Sequence, residues 1–141
     1  YLVAEVRAVK QVGRNTFVMI DAGFNDLMRP AMYGAYHGMT LLDANGQPVD
    51  RPRQPTVVAG PLCESGDVFT QDDQELTPQD LPQAQVGDLL VIHDAGAYGA
   101  SMSSNYNSRP LLPEFLIEDG TLRMIRRRQT VQDLLSLEAG F

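Results

Sequence analysis

At 141 residues the chain is one domain's worth of polypeptide, long enough to bury a core without disulfides or metals. Hydrophobic residues at 43% and charged residues at 21% exclude a disordered or fibrous chain. A formal net charge of -7 repels a phosphate backbone, so nucleic acid is not an expected partner.

The chain opens on "YLVAEVRAVK", without an initiator methionine and already in strand-like alternation, which reads as a cut inside a larger polypeptide. "LVAEVRAV" (Leu2 to Val9) and "TFVMID" (Thr16 to Asp21) are β-rich and read as a hairpin across "KQVGRN". "RPAMYGAYHG" has proline early and glycine at its end, which predicts a short helix near 29–37. "TLLDANGQPV" carries an Asn-Gly hairpin signal, and "TVVAG" (Thr56 to Gly60) and "VGDLLVIHD" (Val86 to Asp94) are further strands. Between them, the polar stretch Thr70 to Gln85 reads as a surface loop with a helical turn at "TPQD". "EFLIEDGTLRMIRR" is a strand pair about an Asp-Gly turn, the basic run Arg123 to Gln129 reading as a solvated strand face or interface rim, with an anion site as the alternative. The last segment, near 130–139, is expected to be a helix with Thr130 as N-cap, Asp133 completing a capping box and Gly140 as the stop. Short strands at near-regular spacing with two brief helices predict an all-β sandwich or barrel.

One cysteine can make neither an internal disulfide nor a thiolate metal cluster, so no metal site is expected. No signal peptide and no apolar run of roughly 18 residues is seen, so the expectation is a cytoplasmic protein with no membrane partner.

Groups suited to chemistry gather in three stretches. In "DAGFNDLMRPAMYGAYH", Arg29 and Tyr33 stand four apart and share a helix face, a guanidinium and a phenol able to clamp a carboxylate or phosphate. An amphipathic helix with a snorkelling arginine gives the same pattern. In "GPLCESGD", Cys63 adjoins Glu64; a neighbouring carboxylate disfavours the thiolate, which suits a proton donor better than a nucleophile. The plain alternative is a small buried hydrophobe in a turn. In "DAGAYGASMSSNYNSRP", Tyr98 sits between small residues where backbone approaches a ligand closely.

Taken together these stretches resemble the C-terminal domain of the diaminopimelate decarboxylases, pyridoxal-phosphate enzymes of lysine biosynthesis. The resemblance runs through "FVMIDAGFNDLMRPAMYGAYH", "VVAGPLCESGD" and "GDLLVIHDAGAYGASMSSNYNSRPLLPEFLI". Related ornithine and arginine decarboxylases share the Cys-acidic turn and a Gly-Ala-Tyr segment but differ at "RPAMYGAYH" and "MSSNYNSRP". The resemblance implies a β-domain of the alanine-racemase type over residues 1–141, joined in the parent enzyme to an α/β barrel that this chain lacks. The Schiff-base lysine, the phosphate loop and the acidic partner of the pyridine nitrogen belong to that barrel, and the sole lysine, Lys10, matches none of them.

Residue by residue, the resemblance implies that Arg29 binds a substrate carboxylate with Tyr33 as companion, and that Cys63 donates a proton. Glu64 is implied to recognise the distal amino group of an amino-acid substrate, and Tyr98 to touch both substrate and cofactor phosphate. It further implies a homodimer with active sites shared across the interface, and chain from before the barrel that adds to the β-domain, leaving a strand edge open without it. Asp67 carries no chemical role from the resemblance and reads as a turn cap; Asn105 and Arg109 read as loop-shaping residues. Two other readings stay open: a non-catalytic binding or dimerisation module, and the β-domain of a related decarboxylase acting on ornithine, arginine or carboxynorspermidine.

Overall fold

The computed structural model describes residues 1–140, which divide into two compact units, Tyr1–Ser103 and a second from Ser104 onward. In the first unit β1 (Leu2–Val12) and β2 (Asn15–Ile20) form the expected hairpin. They are followed by α1 (Arg29–Tyr33), β3 (Met39–Leu42), β4 (Arg53–Ala59), β5 (Gln71–Asp72), β6 (Glu75–Leu76), β7 (Gln79–Pro82), β8 (Leu89–Ile92) and α2 (Gly99–Met102). Six of the strands make one sheet in the order β3-β8-β1-β2-β4-β7.

The long β1 explains the curl of this sheet. Residues Leu2 to Glu5 pair with β8, and from Val6 onward the strand pairs with β2, with the register broken between Val6 and Ala8. Such a bulge bends a strand and strengthens its twist. The edge strands β3 and β7 come into contact, and the Gln79 side-chain amide donates to the His37 carbonyl at 2.8 Å, leaving a nearly closed, barrel-like sheet as the all-β reading expected.

Alternation sets the inner face: Thr16, Val18 and Ile20 of β2 and Leu90 and Ile92 of β8 point inward, with exposed or half-buried residues between them. Val18, Ile20, Leu90 and Ile92 pack with Val6, Leu27, Leu41, Val58, Phe69 and Leu81 in one cluster. Each fully buried aliphatic side chain contributes about 1.5–3 kcal/mol before entropy is counted. Thr56, Val57 and Val58 are all buried, so β4 is covered on both faces, as suits a strand paired in parallel with β2.

Three expectations need correction. The helix expected at 29–37 stops at Tyr33, because Gly34 adopts φ 62° and its N–H closes on the Pro30 carbonyl while the Ala35 N–H reaches Arg29. The expected loop at 70–85 holds a small hairpin and β7, with no helical turn at "TPQD". Asp73 and Gln74 take positive φ to make the hairpin, and Leu81 is buried once β7 pairs with β4.

The third correction lies in the second unit, where β9 (Glu114–Glu118) and β10 (Thr121–Arg126) pair about an Asp119-Gly120 turn as expected, with Arg126 bridged to Glu114 at 2.7 Å. The final helix, α3 (Val131–Leu135), has the expected capping box between Thr130 and Asp133 but ends well short of Gly140. Ser136 turns it off, its N–H and hydroxyl both donating to the Asp133 carbonyl.

Candidate functional site

Strand direction explains why three distant stretches meet. β2 and β4 run parallel, and β8, antiparallel to β1 like β2, runs the same way as β2. Their C-terminal ends therefore lie at one end of the sheet. From those ends leave the loop into α1 with Arg29, the turn with Cys63 and Glu64, and the segment with Tyr98.

The first loop is tightened internally. The Gly23 N–H donates to Asp26 Oδ2 at 3.0 Å, the Asn25 amide donates to Asp26 Oδ1 at 3.0 Å, and the Asp26 and Leu27 N–H groups return to the Gly23 carbonyl. Pro30, early in α1, needs no donor partner and fixes the helix start, leaving Arg29 half-buried and Tyr33 exposed at the last helical position. The guanidinium of Arg29 lies over the ring of Tyr98, 6.0 Å from its centre, within cation–π range. Arg29 therefore gains an aromatic neighbour from the loop after β8. Tyr98 itself takes φ 64°, a left-handed conformation uncommon outside glycine, at the start of α2.

The second turn places its thiol outward. Cys63 is exposed, which sets aside the buried-hydrophobe reading. Glu64 is exposed as well, and its Oε1 accepts from the Gly66 N–H and the Ser65 hydroxyl at 3.2 Å. Beneath the turn, the buried Gln71 amide donates to the carbonyls of Gly66 and Val68. Both histidines are engaged at the β3–β8 edge: His37 Nδ1 lies 2.9 Å from the His93 carbonyl, and His93 Nε2 lies 2.8 Å from Thr40 Oγ1. They offer the thiol no imidazole base.

This arrangement can bind an anion at Arg29 and Tyr98, bind a cation at Glu64, and give up a proton from an accessible thiol. The family described as pyridoxal-dependent decarboxylase, C-terminal sheet domain, matches residues 1–96, and so takes in β1 to β8 and the loops with Arg29 and Cys63. The chain belongs to this family.

Among its relatives, the diaminopimelate decarboxylase of Escherichia coli K12 is 61% identical over 139 residues, a match that covers 97% of this chain and 33% of that protein. The enzyme of that name from Streptomyces coelicolor is 62% identical over 138 residues, covering 97% and 31%. The chain thus spans about a third of the length of the curated relatives it matches. A crystal structure of diaminopimelate decarboxylase superposes with a TM-score of 0.93 at 61% identity, over 96% of this chain and 33% of that one. One from Helicobacter pylori, complexed with L-lysine, gives 0.81 at 39% identity over 96% and 31%.

Two polar residues escaped the reading of the sequence. Asn25 is fully buried, and its Oδ1 has no hydrogen-bond partner among the described residues. Asp67, read as a turn cap, is buried and also bonds Phe24, a residue far away in sequence. The signal available for Asp67 was the glycine that follows β4, seven residues before it: a Cβ on Gly60 would run into the Asp67 carboxylate. Asn105 does shape its loop, its amide donating to the Arg109 carbonyl at 2.8 Å and to Gln129 Oε1 at 2.6 Å.

Proposed function

We propose that this chain is the C-terminal, substrate-facing β-domain of a pyridoxal-phosphate-dependent diaminopimelate decarboxylase, which converts meso-diaminopimelate to L-lysine and carbon dioxide. The observation that carries the reading is the convergence of Arg29, the Cys63–Glu64 turn and Tyr98 at the C-terminal ends of three co-directional strands. The identity of about 60% to enzymes of that name supports it.

The residues present fit part of the cofactor's needs. Tyr98 offers a phenol, 64% exposed and next to a guanidinium, as a donor to a phosphate oxygen. Lys10, exposed in β1 opposite Phe17, lies toward the β1–β2 turn, at the other end of β2 from the site loops, so the lysine that anchors the cofactor is assigned to the parent's barrel. Bound pyridoxal phosphate supplies an electron sink for the carbon that loses carbon dioxide.

In this reading Arg29, with Tyr33 beside it, holds a substrate carboxylate as a planar fork. Glu64 holds the distal ammonium by a charge-assisted hydrogen bond. The substrate's α-carboxyl departs as carbon dioxide, its bonding electrons stay with the α-carbon, and the Cys63 S–H proton bonds to that carbon. Solvent, which reaches the exposed thiol, then restores the proton to sulfur. A two-fold homodimer in the cytoplasm is the assembly proposed, with each Cys63–Glu64 turn delivered to the partner's cofactor. Among the described residues no helix is long and apolar enough to cross a membrane.

The test is carbon dioxide release from meso-diaminopimelate, with added pyridoxal phosphate, by the longest product of the parent gene. Turnover that collapses in Cys63→Ala and Glu64→Ala is expected. Preference for ornithine, arginine or carboxynorspermidine would transfer the chain to a related decarboxylase, and no turnover of any would leave a binding or dimerisation module.

A further inference from the structure

Beneath the exposed Cys63–Glu64 turn lies a carboxylate that the proposed chemistry does not use. Asp67 is 3% exposed. Its Oδ2 accepts from the Leu62 N–H at 2.8 Å, immediately before Cys63, and its Oδ1 accepts from the Phe24 N–H at 2.7 Å, in the loop that leads to Arg29. Its own N–H donates to the Glu64 carbonyl at 3.1 Å, and its carbonyl accepts from Gly60 at 2.9 Å. A turn cap explains the bonds to Gly60, Leu62 and Glu64. It does not explain Phe24, which lies 43 residues away.

We infer that Asp67 is a positioning residue, its carboxylate holding the Cys63–Glu64 turn and the loop into Arg29 in one fixed relation. The two segments leave neighbouring parallel strands and are joined to each other through this side chain. Hydrogen bonds from backbone N–H groups to a carboxylate are short and strong, and burial strengthens them. Gly60 is the counterpart of this arrangement, because any side chain there would displace the carboxylate. As a consequence, the thiol and the guanidinium move as one body although they belong to different loops. Where it concerns turnover, the inference rests on the roles proposed above for Cys63 and Arg29.

Asp67→Asn keeps the shape but turns one acceptor into a donor that faces a backbone N–H. In the longest product of the parent gene, kcat for meso-diaminopimelate is expected to fall on the order of 10- to 100-fold, the scale of a displacement of about 1 Å. Cys63 alkylation by iodoacetamide, measured without substrate well below the unfolding temperature, is expected to change severalfold. Gly60→Ala should reproduce both effects, and the double variant should be little worse than either single one, because both act on the same tie. Asp67→Asn with full kcat and unaltered alkylation would overturn the inference, whatever its melting temperature.

Should the variants fail to fold, amide exchange in the wild-type protein decides. The Phe24 and Leu62 amides are expected to share one slow exchange rate within about threefold, as members of one opening unit. A fast Phe24 amide beside a protected Leu62 amide would overturn the tie. Exchange and alkylation need no substrate, so failure of wild-type protein to turn over meso-diaminopimelate would sink the proposed reaction alone.

Discussion

The guanidinium of Arg29 and the ring of Tyr98 face each other at 6.0 Å, and Tyr98 holds that place from a left-handed backbone. An L-residue there is strained by roughly 1–2 kcal/mol relative to glycine. Tyr98→Gly is therefore expected to unfold at a higher denaturant concentration than Tyr98→Ala, by about 1 kcal/mol, while both lose activity. Tyr98→Phe, which keeps the face over Arg29 but lacks the phenol, separates the ring's role from the hydroxyl's: weaker retention of pyridoxal phosphate with a smaller loss of substrate affinity is expected.

Arg51 and Asp88 make a bidentate pair at 2.7 and 2.9 Å, with the Gln85 N–H donating to the same carboxylate. The Arg51 hydrogen bonds hold the Asp88 carboxyl below its ordinary range against the opposing effect of burial, and the Gln85 N–H lowers it further. A depressed folded-state value stabilises above the unfolded value of about 3.9 and loses that contribution as pH falls through the folded value. Asp88→Asn should flatten the stability profile below about pH 4. Arg51→Leu, which strands a buried carboxylate, should cost about 2 kcal/mol at neutral pH, between the surface and fully buried cases. Denaturant titrations across pH check both.

Gly34 ends α1, and a Cβ there would collide with the Asp72 carboxylate of the β5–β6 hairpin. Gly34→Ala is expected to destabilise by more than the roughly 1 kcal/mol of backbone strain alone. Adding Asp72→Gly should recover the steric part and leave the strain. A double-mutant cycle with no coupling would contradict the close approach.

In the second unit, Gln129 Oε1 accepts from both the Asn105 amide and the Leu111 N–H, the latter at 2.9 Å. Gln129→Leu should cost about 0.5–1.5 kcal/mol, the net worth of bonds whose donors can turn to water, and speed limited proteolysis between Ser104 and Leu111. Gln129→Glu, which still accepts, should be nearly silent.

Much of the fold was legible because local rules agreed with each other. The β1–β2 and β9–β10 hairpins combine alternation with turn residues that adopt positive φ, Gly13 in the first and Asp119-Gly120 in the second. Strand β7 was missed because Leu81 is its only buried residue, so "QDLP" shows no apolar pattern of its own and is ordered by its partner β4. The helix was drawn too long because Gly34 and Gly38 are both credible stops, and only the chain's turn toward β3 selects the first. In the candidate site, Arg29, Cys63, Glu64 and Tyr98 stood in recognisable local motifs. Asp67 closed one of those motifs and was legible only as a turn cap, because the bond that sets it apart from a cap spans two loops.

The parallel pairing of β2 with β4 bears on how the molecule comes to be folded. Everything from Asp21 to Pro52 lies in the excursion between these strands, including α1 and its arginine. Joining strands so far apart in sequence is an entropically slow event compared with closing a hairpin. A chain that has closed only the β1–β2 ribbon still carries the Arg29 guanidinium and the Cys63 thiol on independent tethers. The site is complete only when the β2–β4 pairing and the still longer-range pairing of β8 with β1 are both made, so a chain with the hairpin alone has no assembled chemistry.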